Sequence, residues 1–452
     1  MAINNYPTYP KVYTLFVWLL LLALTGCQQA SNSPATAEAS PAATATRLST
    51  PTAISPALVA TATPAATPED ATLTLTLWTI EPISPLANDE AAAFFNQTIS
   101  RFERANPGVT VDVLVKKPSG KGGVLDFLRT ASAVAPAVMP DVVVMNATDT
   151  EQAFAERLIQ PLDGKLDRSI VQDLLPAARR VGTVQENLAG VPMSIEMQHS
   201  AYNTRIFTET TVLWSDVLSR SASYSFPAKG NNGLVNDITL SHYFTAGGNL
   251  LDDEDRPKID EKPLRDTLGF YQQLLEAGLI DDSLLEAATT EELWPNFVDG
   301  QADVAQISVR QYLTDQPELE GSALPGPPPL PNGEATSVGV MHAWVFSLVT
   351  SDINRQEEAL RLMESFLSTE ANVTWNQLNK SIPVRDSSFQ QLAGADPYWQ
   401  LLTSQLNTAR PEPRFTGYDR VGRIFQQAVE QVLRGEATAE EAASTAVDAL
   451  AQ

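Results

Sequence analysis

The stretch that most constrains the fold is residues 72–115. Residues 72–78 (TLTLTLW) alternate between polar and apolar, the period of a half-buried strand, with Leu73, Leu75 and Leu77 on one face. Residues 89–104 set Phe95, Ile99 and Phe102 at helical spacing and stop at Asn106-Pro107-Gly108, a strong turn signal. Residues 109–115 (VTVDVLV) read as a second strand. Strand, helix and strand in close succession predict a parallel sheet, and so an α/β fold. Pro140-Asp141 opens a further apolar run through Met145, the pattern of a strand buried on both faces.

At 452 residues the chain suffices for two domains or one large two-lobed unit, and its 43% hydrophobic content supports a sizeable core. With 54 acidic and 30 basic residues its formal charge is −24, which argues against nucleic acid as a partner. Cys27 is the single cysteine, so no intramolecular disulfide and no cysteine-based zinc site is possible. It follows an apolar run, residues 12–26, that is short for a transmembrane helix and suits a secretory signal. Leu24-Thr25-Gly26-Cys27 resembles a bacterial lipobox. That resemblance implies cleavage before Cys27, lipid on its thiol and an extracytoplasmic, membrane-anchored protein; the alternative is an uncleaved anchor. Residues 28–70 are almost wholly Ala, Thr, Pro and Ser and read as a disordered tether.

Further on, residues 263–277 read as a helix with Leu264, Leu268, Tyr271 and Leu274 inward, stopped by Gly278. Residues 324–333 (LPGPPPLPNG) exclude a helix or a central strand. Residues 338–349 read as a strand and 354–367 and 418–433 as amphipathic helices. Thr438 and Glu441 have capping-box spacing.

Residues 188–207 combine a turn at Gly190, Pro192, an extended run carrying Glu196, and Tyr202-Asn203. A carboxylate in mid-strand is costly unless paired or wet. This stretch resembles the first interlobe crossover of the family 1 extracellular solute-binding proteins of ABC importers, the maltose-binding-protein type. Other short matches follow in the same order: Trp78, Phe102-Glu103 through Pro107-Gly108, Pro140-Asp141, Trp214 to Leu218, Phe297 to Gly300, Gly339 to Trp344, and Ile382-Pro383-Val384-Arg385. The resemblance implies a type II periplasmic-binding-protein fold, two α/β lobes joined by three crossovers near residues 191–201, 324–336 and 380–385. The expected layout is a signal peptide at 1–27, a tether at 28–70, lobe 1 at 71–192 plus 336–382, and lobe 2 at 193–335 plus 383–452. It further implies a monomer that closes on a sugar or oligosaccharide and delivers it to permease subunits.

No GxSxG, HExxH or Walker A motif is present, and the turn Ser119-Gly120-Lys121-Gly122-Gly123 lacks phosphate-loop spacing. His199, His242 and His342 are far apart in sequence and no spacing supports a metal site. No cofactor or catalytic residue is expected. A sugar site needs an aromatic face and polar groups for hydroxyls. Trp78 ends the first strand, where ligands of α/β sheets bind, with Glu81 just after it; the alternatives are core packing and a solvated loop charge. Asn146 and Asp149 follow the 141–145 strand and either meet ligand or cap a turn. Glu196 is the strongest polar candidate, with a structural ion pair as the alternative. Tyr202 and Asn203 match the crossover motif. Asn236 and Asp237 fall where the family draws second-lobe ligand groups. Arg310 stands where many relatives have an aromatic, and a guanidinium there favours an anionic or carboxylate-bearing ligand, with a surface arginine as the alternative; an anionic or polyol solute such as a sugar phosphate is the alternative ligand class. Trp344 falls at a cleft-facing family position, and Arg385 either meets ligand or locks the hinge. Rival readings are a carbohydrate-active enzyme with Glu81 and Glu196 as paired carboxylates, and a degenerate sensor or adhesin.

Overall fold

A computed structural model describes residues 73–394 and 396–452. Cys27, the signal-like run and the 28–70 tether lie outside the described residues. Strand β1 (Leu73–Ile80) is followed by α1 (Asp89–Ala105), β2 (Val109–Lys116), α2 (Val124–Val134), β3 (Val142–Asn146) and α3 (Ala147–Ala155). Short helices α4 (Arg168–Gln172) and α5 (Pro176–Gly182) and the hairpin β4 (Thr183–Val184) and β5 (Asn187–Leu188) precede β6 (Val191–Asn203). Next come α6 (Trp214–Ser219), β7 (Tyr224–Ser225), α7 (Asp237–Thr245), α8 (Glu261–Glu276), α9 (Thr290–Val298), β8 (Val304–Ser308), α10 (Val309–Leu319) and β9 (Ala323–Gly326). Strand β10 (Val340–Leu348) then leads to α11 (Ile353–Leu367), α12 (Thr369–Asn379), α13 (Asp386–Ala393) and α14 (Pro397–Thr408). Strand β11 (Arg410–Pro411), α15 (Tyr418–Leu433) and α16 (Ala439–Ala451) complete the chain.

One mixed sheet runs in the order β2-β1-β3-β10-β6-β8-β7, with β11 beside β10 and β9 beside β6. Strands β1, β2 and β3 are parallel, as the strand–helix–strand opening predicts, and β10 is antiparallel to both β3 and β6. The 13-residue β6 serves two neighbourhoods. From Val191 to Met197 it pairs with β10; from Gln198 onward it pairs with β8, and from Ser200 to Asn203 also with β9. Strand β9 carries Pro325 and pairs only on its β6 side, the edge position where a missing N–H is tolerated.

Two hydrophobic clusters flank this shared strand. The first gathers β1, β3, α1, α11 and α12, with Phe95 against Phe366 and Trp375 at ring separations of 4.9 and 6.2 Å. The second gathers α7, α8, α15 and α16, with Tyr243 edge-on to Phe425 at 5.0 Å. Helix α15 turns Val421, Phe425, Ala428 and Val432 inward at the spacing read from the sequence, and Thr438 with Glu441 closes the capping box of α16. The segment after residue 383 packs in both cores in turn. Val384, Phe389, Tyr398, Trp399, Leu402 and Leu406 pack in the first cluster, and the chain packs against the second from Phe415 onward. Amphipathic spacing marks the buried face of α13 and α14 but not the partner across it.

Near residues 380–385 the chain returns to β6. Ile195 and Ile382 exchange backbone hydrogen bonds of 2.9 and 3.1 Å, and Asn372 and Asn376 donate to the Met193 carbonyl at 2.9 and 3.2 Å. Two buried amides thereby converge on the carbonyl of Met193, the residue skipped at the register shift between β6 and β10.

Candidate functional site

The floor of the candidate site is the middle of β10. His342 and Trp344, two residues apart on a strand, share one face. Asn146 of β3 lies opposite Trp344, and Glu196 of β6 lies opposite His342. The mid-strand carboxylate is paired: Arg310 Nη2 is 2.8 Å from Glu196 Oε1, and Trp344 Nε1 donates to the same oxygen at 3.4 Å. All three side chains are partly exposed, and Trp344 packs its other edge on the first core.

Three helices begin at this floor, each with a side-chain N-cap. Asn146 Oδ1 accepts from the Asp149 N–H at 2.6 Å, Asn236 Oδ1 from Ile238 at 3.0 Å, and Ser308 Oγ from Gln311 at 3.2 Å. Strands β3 and β8 pass straight into α3 and α10, so the first turns carry Thr148 and Asp149, and Arg310, to the floor; α7 brings Asp237. The positive ends of three helix dipoles converge there. Ser308 Oγ also donates to Glu291 at 2.7 Å.

His342 joins two carboxylates. Its Nε2 is 2.7 Å from Asp237 Oδ2 and its Nδ1 3.4 Å from Glu412 Oε2, an oxygen that also accepts from Thr148 Oγ1 at 3.0 Å. Burial by itself lowers the His342 pKa, but Asp237 and Glu412 outweigh it and hold the imidazole well above its ordinary value. Burial raises Glu412, and the bonds to and charge of His342, with the bond to Thr148, reverse that, leaving it below its ordinary value. Burial pushes Asp149 up to about 6, against the opposing pull of Arg129 and Asn146.

Glu196, Arg310, Trp344, Asp237, Asn146 and Asp149 are thus gathered around the floor. The other candidates are not. Trp78 is 4% exposed, its ring against Phe127 and under Lys116, because β1 is central and covered on both faces. Glu81 is exposed on the turn after β1. Tyr202 is fully buried, its hydroxyl donating to the Pro327 carbonyl at 2.5 Å, and Asn203 caps the turn beyond β6 by accepting from Arg205. The amide of Asn236 is turned inward to the carbonyls of Lys229 and Ala288. Arg385 is buried, 2.7 Å from Asp173 and bonded to the Leu367 carbonyl, among residues of the first core.

Sequence reasoning missed His342, Glu412 and Thr148. His342 carries a signal, since it lies one strand repeat from Trp344. Glu412 carries none: it reaches the floor because β11 returns the chain to β10, with the Glu412 N–H donating to the Met341 carbonyl. His199 and His242 are buried in separate cores, and among the described residues no group of three or more His, Cys, Asp or Glu side chains is disposed to hold a metal. Among the same residues no helix is long and apolar enough to cross a membrane.

A space of about 70 Å³ lies beside Glu196, Ser308, Arg310 and Lys380, room for about two waters. A larger cavity of about 500 Å³ opens at the far end of β6, between Trp294 and Glu318. The charged side chains of the floor are partly exposed and paired with one another.

The family model described as bacterial extracellular solute-binding protein matches residues 97–401. No curated protein matches the sequence. Among solved structures, the chain is similar to the cyclic alpha-maltosyl-1,6-maltose binding protein of Arthrobacter globiformis, with a TM-score of 0.68 and 17% identity over 84% of this chain and 98% of that one. The sugar-binding protein MalE of Xanthomonas citri gives 0.67 and 18%, over 83% and 95%. An ABC transporter solute binding protein of Thermotoga lettingae, bound with alpha-D-tagatose, gives 0.64 and 20%, over 83% and 98%. At these identities the likeness is one of fold, the two-lobed binding-protein architecture.

Proposed function

The chain belongs to the bacterial extracellular solute-binding proteins, and from that premise we propose that it captures a sugar or oligosaccharide between its lobes and hands it to the permease of an ABC importer. The observation that carries this reading is the partly exposed Trp344 on the floor, with its N–H on Glu196 and polar helix N-termini around it. An indole face takes sugar C–H surfaces, while Glu196, Asp237 and Asn146 take hydroxyls. The sugar ligands named for the structural neighbours support the same class. Charges around the floor come in pairs, Arg310 with Glu196 and His342 with Asp237 and Glu412. An anionic solute would have to displace a carboxylate from Arg310, so a neutral solute is favoured over a sugar phosphate or uronate. Capture would involve closure of the lobes about β6 and the crossovers. The lipobox-like sequence supports anchoring by lipid on Cys27; mass spectrometry of the membrane fraction would test that modification.

The test of function is calorimetric and fluorescence titration of the full chain with neutral oligosaccharides, polyols, sugar phosphates and uronates. Saturable binding of a neutral class is expected, weakened at least about tenfold, or about 1.4 kcal/mol, by Trp344→Ala. Preference for the anionic ligands, or no binding of any class by a protein folded by circular dichroism, would overturn the assignment.

A further inference from the structure

His342 is where side chains from the two cores meet. Asp237, at its Nε2, is the first residue of α7, which packs in the second core through Ile238, Leu240 and Tyr243. Glu412, at its Nδ1, is held by Thr148 of α3, a helix packed in the first core through Ala147 and Ala153. The segment of Glu412 is tied to α3 a second time. Arg414 Nε is 3.1 Å from Glu151 Oε2, and its Nη1 donates to the Ala147 carbonyl at 3.1 Å. An unbroken polar line therefore runs from α3 through Glu412, His342 and Asp237 to α7. An imidazolium can donate to both carboxylates, whereas a neutral imidazole has one donor and turns a lone pair on the other.

From this geometry we infer that Asp237, His342 and Glu412 form a pH-operated clasp that holds the two lobes together in the absence of solute, with His342 as its positioning residue. The clasp would regulate the solute site of the preceding section, and that consequence rests on the proposed function; the clasp itself belongs to the ligand-free protein. Its sign follows from the raised His342 pKa. The clasp is complete below that value and is lost as pH rises through it. The lobes then part more readily and solute is held less tightly.

Other charges face the same histidine. Glu196, opposite on β6, is neutralised by Arg310 of α10. Tyr418, at the start of α15, has its phenol pushed up by burial and then by Asp237 and Glu412, so it stays neutral. Burial lowers Arg414 on the Glu412 segment, but as an arginine it keeps its charge. Asp149 of α3, raised to about 6, titrates on the acid side of the expected transition.

Two readouts on the full chain, without solute, test the clasp. The protein has three histidines, and burial holds His199 and His242 neutral down to about 4 and about 3. In proton NMR His342 is therefore the imidazole expected to titrate above the ordinary histidine range. Spin labels at Asn96→Cys on α1 and Gln273→Cys on α8, in a Cys27→Ser background, report the interlobe distance by pulsed electron resonance. The distance should lengthen as pH rises, with the midpoint of the His342 resonance. Asp237→Asn should lower both midpoints together, by about 1–3 pH units, and His342→Gln should abolish the pH dependence. A His342 resonance titrating at or below its ordinary value, or a distance constant through its titration, would overturn the inference. Should His342→Gln fail to fold, the unsubstituted pH series and Asp237→Asn decide the matter. Failure of every sugar to bind leaves these readouts intact, so the clasp and the ligand assignment fail separately.

Discussion

The two cores and the cleft between them treat the same side chain in opposite ways. In the cores, His199 and His242 meet neutral partners. His199 Nδ1 is 3.0 Å from the Ser200 carbonyl and its Nε2 2.9 Å from the Tyr398 hydroxyl, while His242 lies between Tyr224 and Tyr271 at 3.0 and 2.7 Å. A ring facing a carbonyl carries its proton there and accepts a hydroxyl hydrogen at the other nitrogen, so the neutral form satisfies every group. In the cleft, His342 meets two carboxylates and only the charged form does so. What decides protonation is the partner, not depth alone. The two core histidines are therefore placed to stay neutral, while the cleft holds charges in mutually cancelling sets that can be exchanged.

The sharpest break of this comparison is a cavity in a core. Trp375 is fully buried against Phe95, so Trp375→Ala should cost about 3–5 kcal/mol in urea unfolding. Solute affinity of the molecules that remain folded should be little changed. A loss under about 1 kcal/mol would mean that the first core is loosely packed and that the contrast with the cleft is false. Next in size is the acid side of the stability profile. His199 is pulled down to about 4 by burial, so the unfolded chain takes up its proton first. Its contribution is complete above pH 6.5 and is lost as pH falls toward 4, on the order of 3 kcal/mol at the limit. His342 acts in the reverse sense, its contribution being lost on the alkaline side. Urea midpoints from pH 8 to pH 4, repeated for His199→Asn, check this; an equal slope in the variant would mean that the buried ring does not control acid stability.

The sequence carried much of the scaffold and less of the site, for physical reasons visible in particular residues. Periodicity is local, so the β1–α1–β2 opening, the inward face of α15 and the Thr438 capping box were readable. Trp344 was singled out by the Gly339–Trp344 family match and Glu196 by the crossover motif and the cost of a mid-strand carboxylate, and the structure brings the two side chains together. Trp78 and Tyr202 were misleading because strand ends near a cleft and strand ends inside a covered sheet carry the same aromatic residues; only the neighbours across the ladder distinguish them. Asn146 and Asn236 occupy the expected loops, yet their side chains cap helices there, the alternative that Asn at such positions always offers. Glu412 was beyond reach, since its role is created by a long return of the chain to β10.

The smallest effect should come from the Glu196–Arg310 pair, and it tests whether the charges of the cleft are exchangeable. Both side chains are partly exposed and the pair spans two strand-anchored elements, β6 and the start of α10. Exposed pairs contribute about 0–1 kcal/mol, so Glu196→Gln should leave unfolding within about 1 kcal/mol of the unsubstituted protein. The glutamine can still accept from Trp344 and can donate to a sugar hydroxyl, but it no longer neutralises Arg310. The variant should therefore retain measurable sugar binding, weakened, while gaining affinity for a sugar phosphate or uronate that now meets an uncompensated guanidinium. Parallel titrations of one neutral and one anionic ligand, at two salt concentrations, read the exchange directly. A gain for the anion that fades at high salt supports a cleft whose selectivity for neutral solutes is set by internal pairing. If anion affinity stays unchanged while stability falls by several kcal/mol, the pair is a structural bridge like Arg385–Asp173, and the charges of the cleft are not exchangeable at β6.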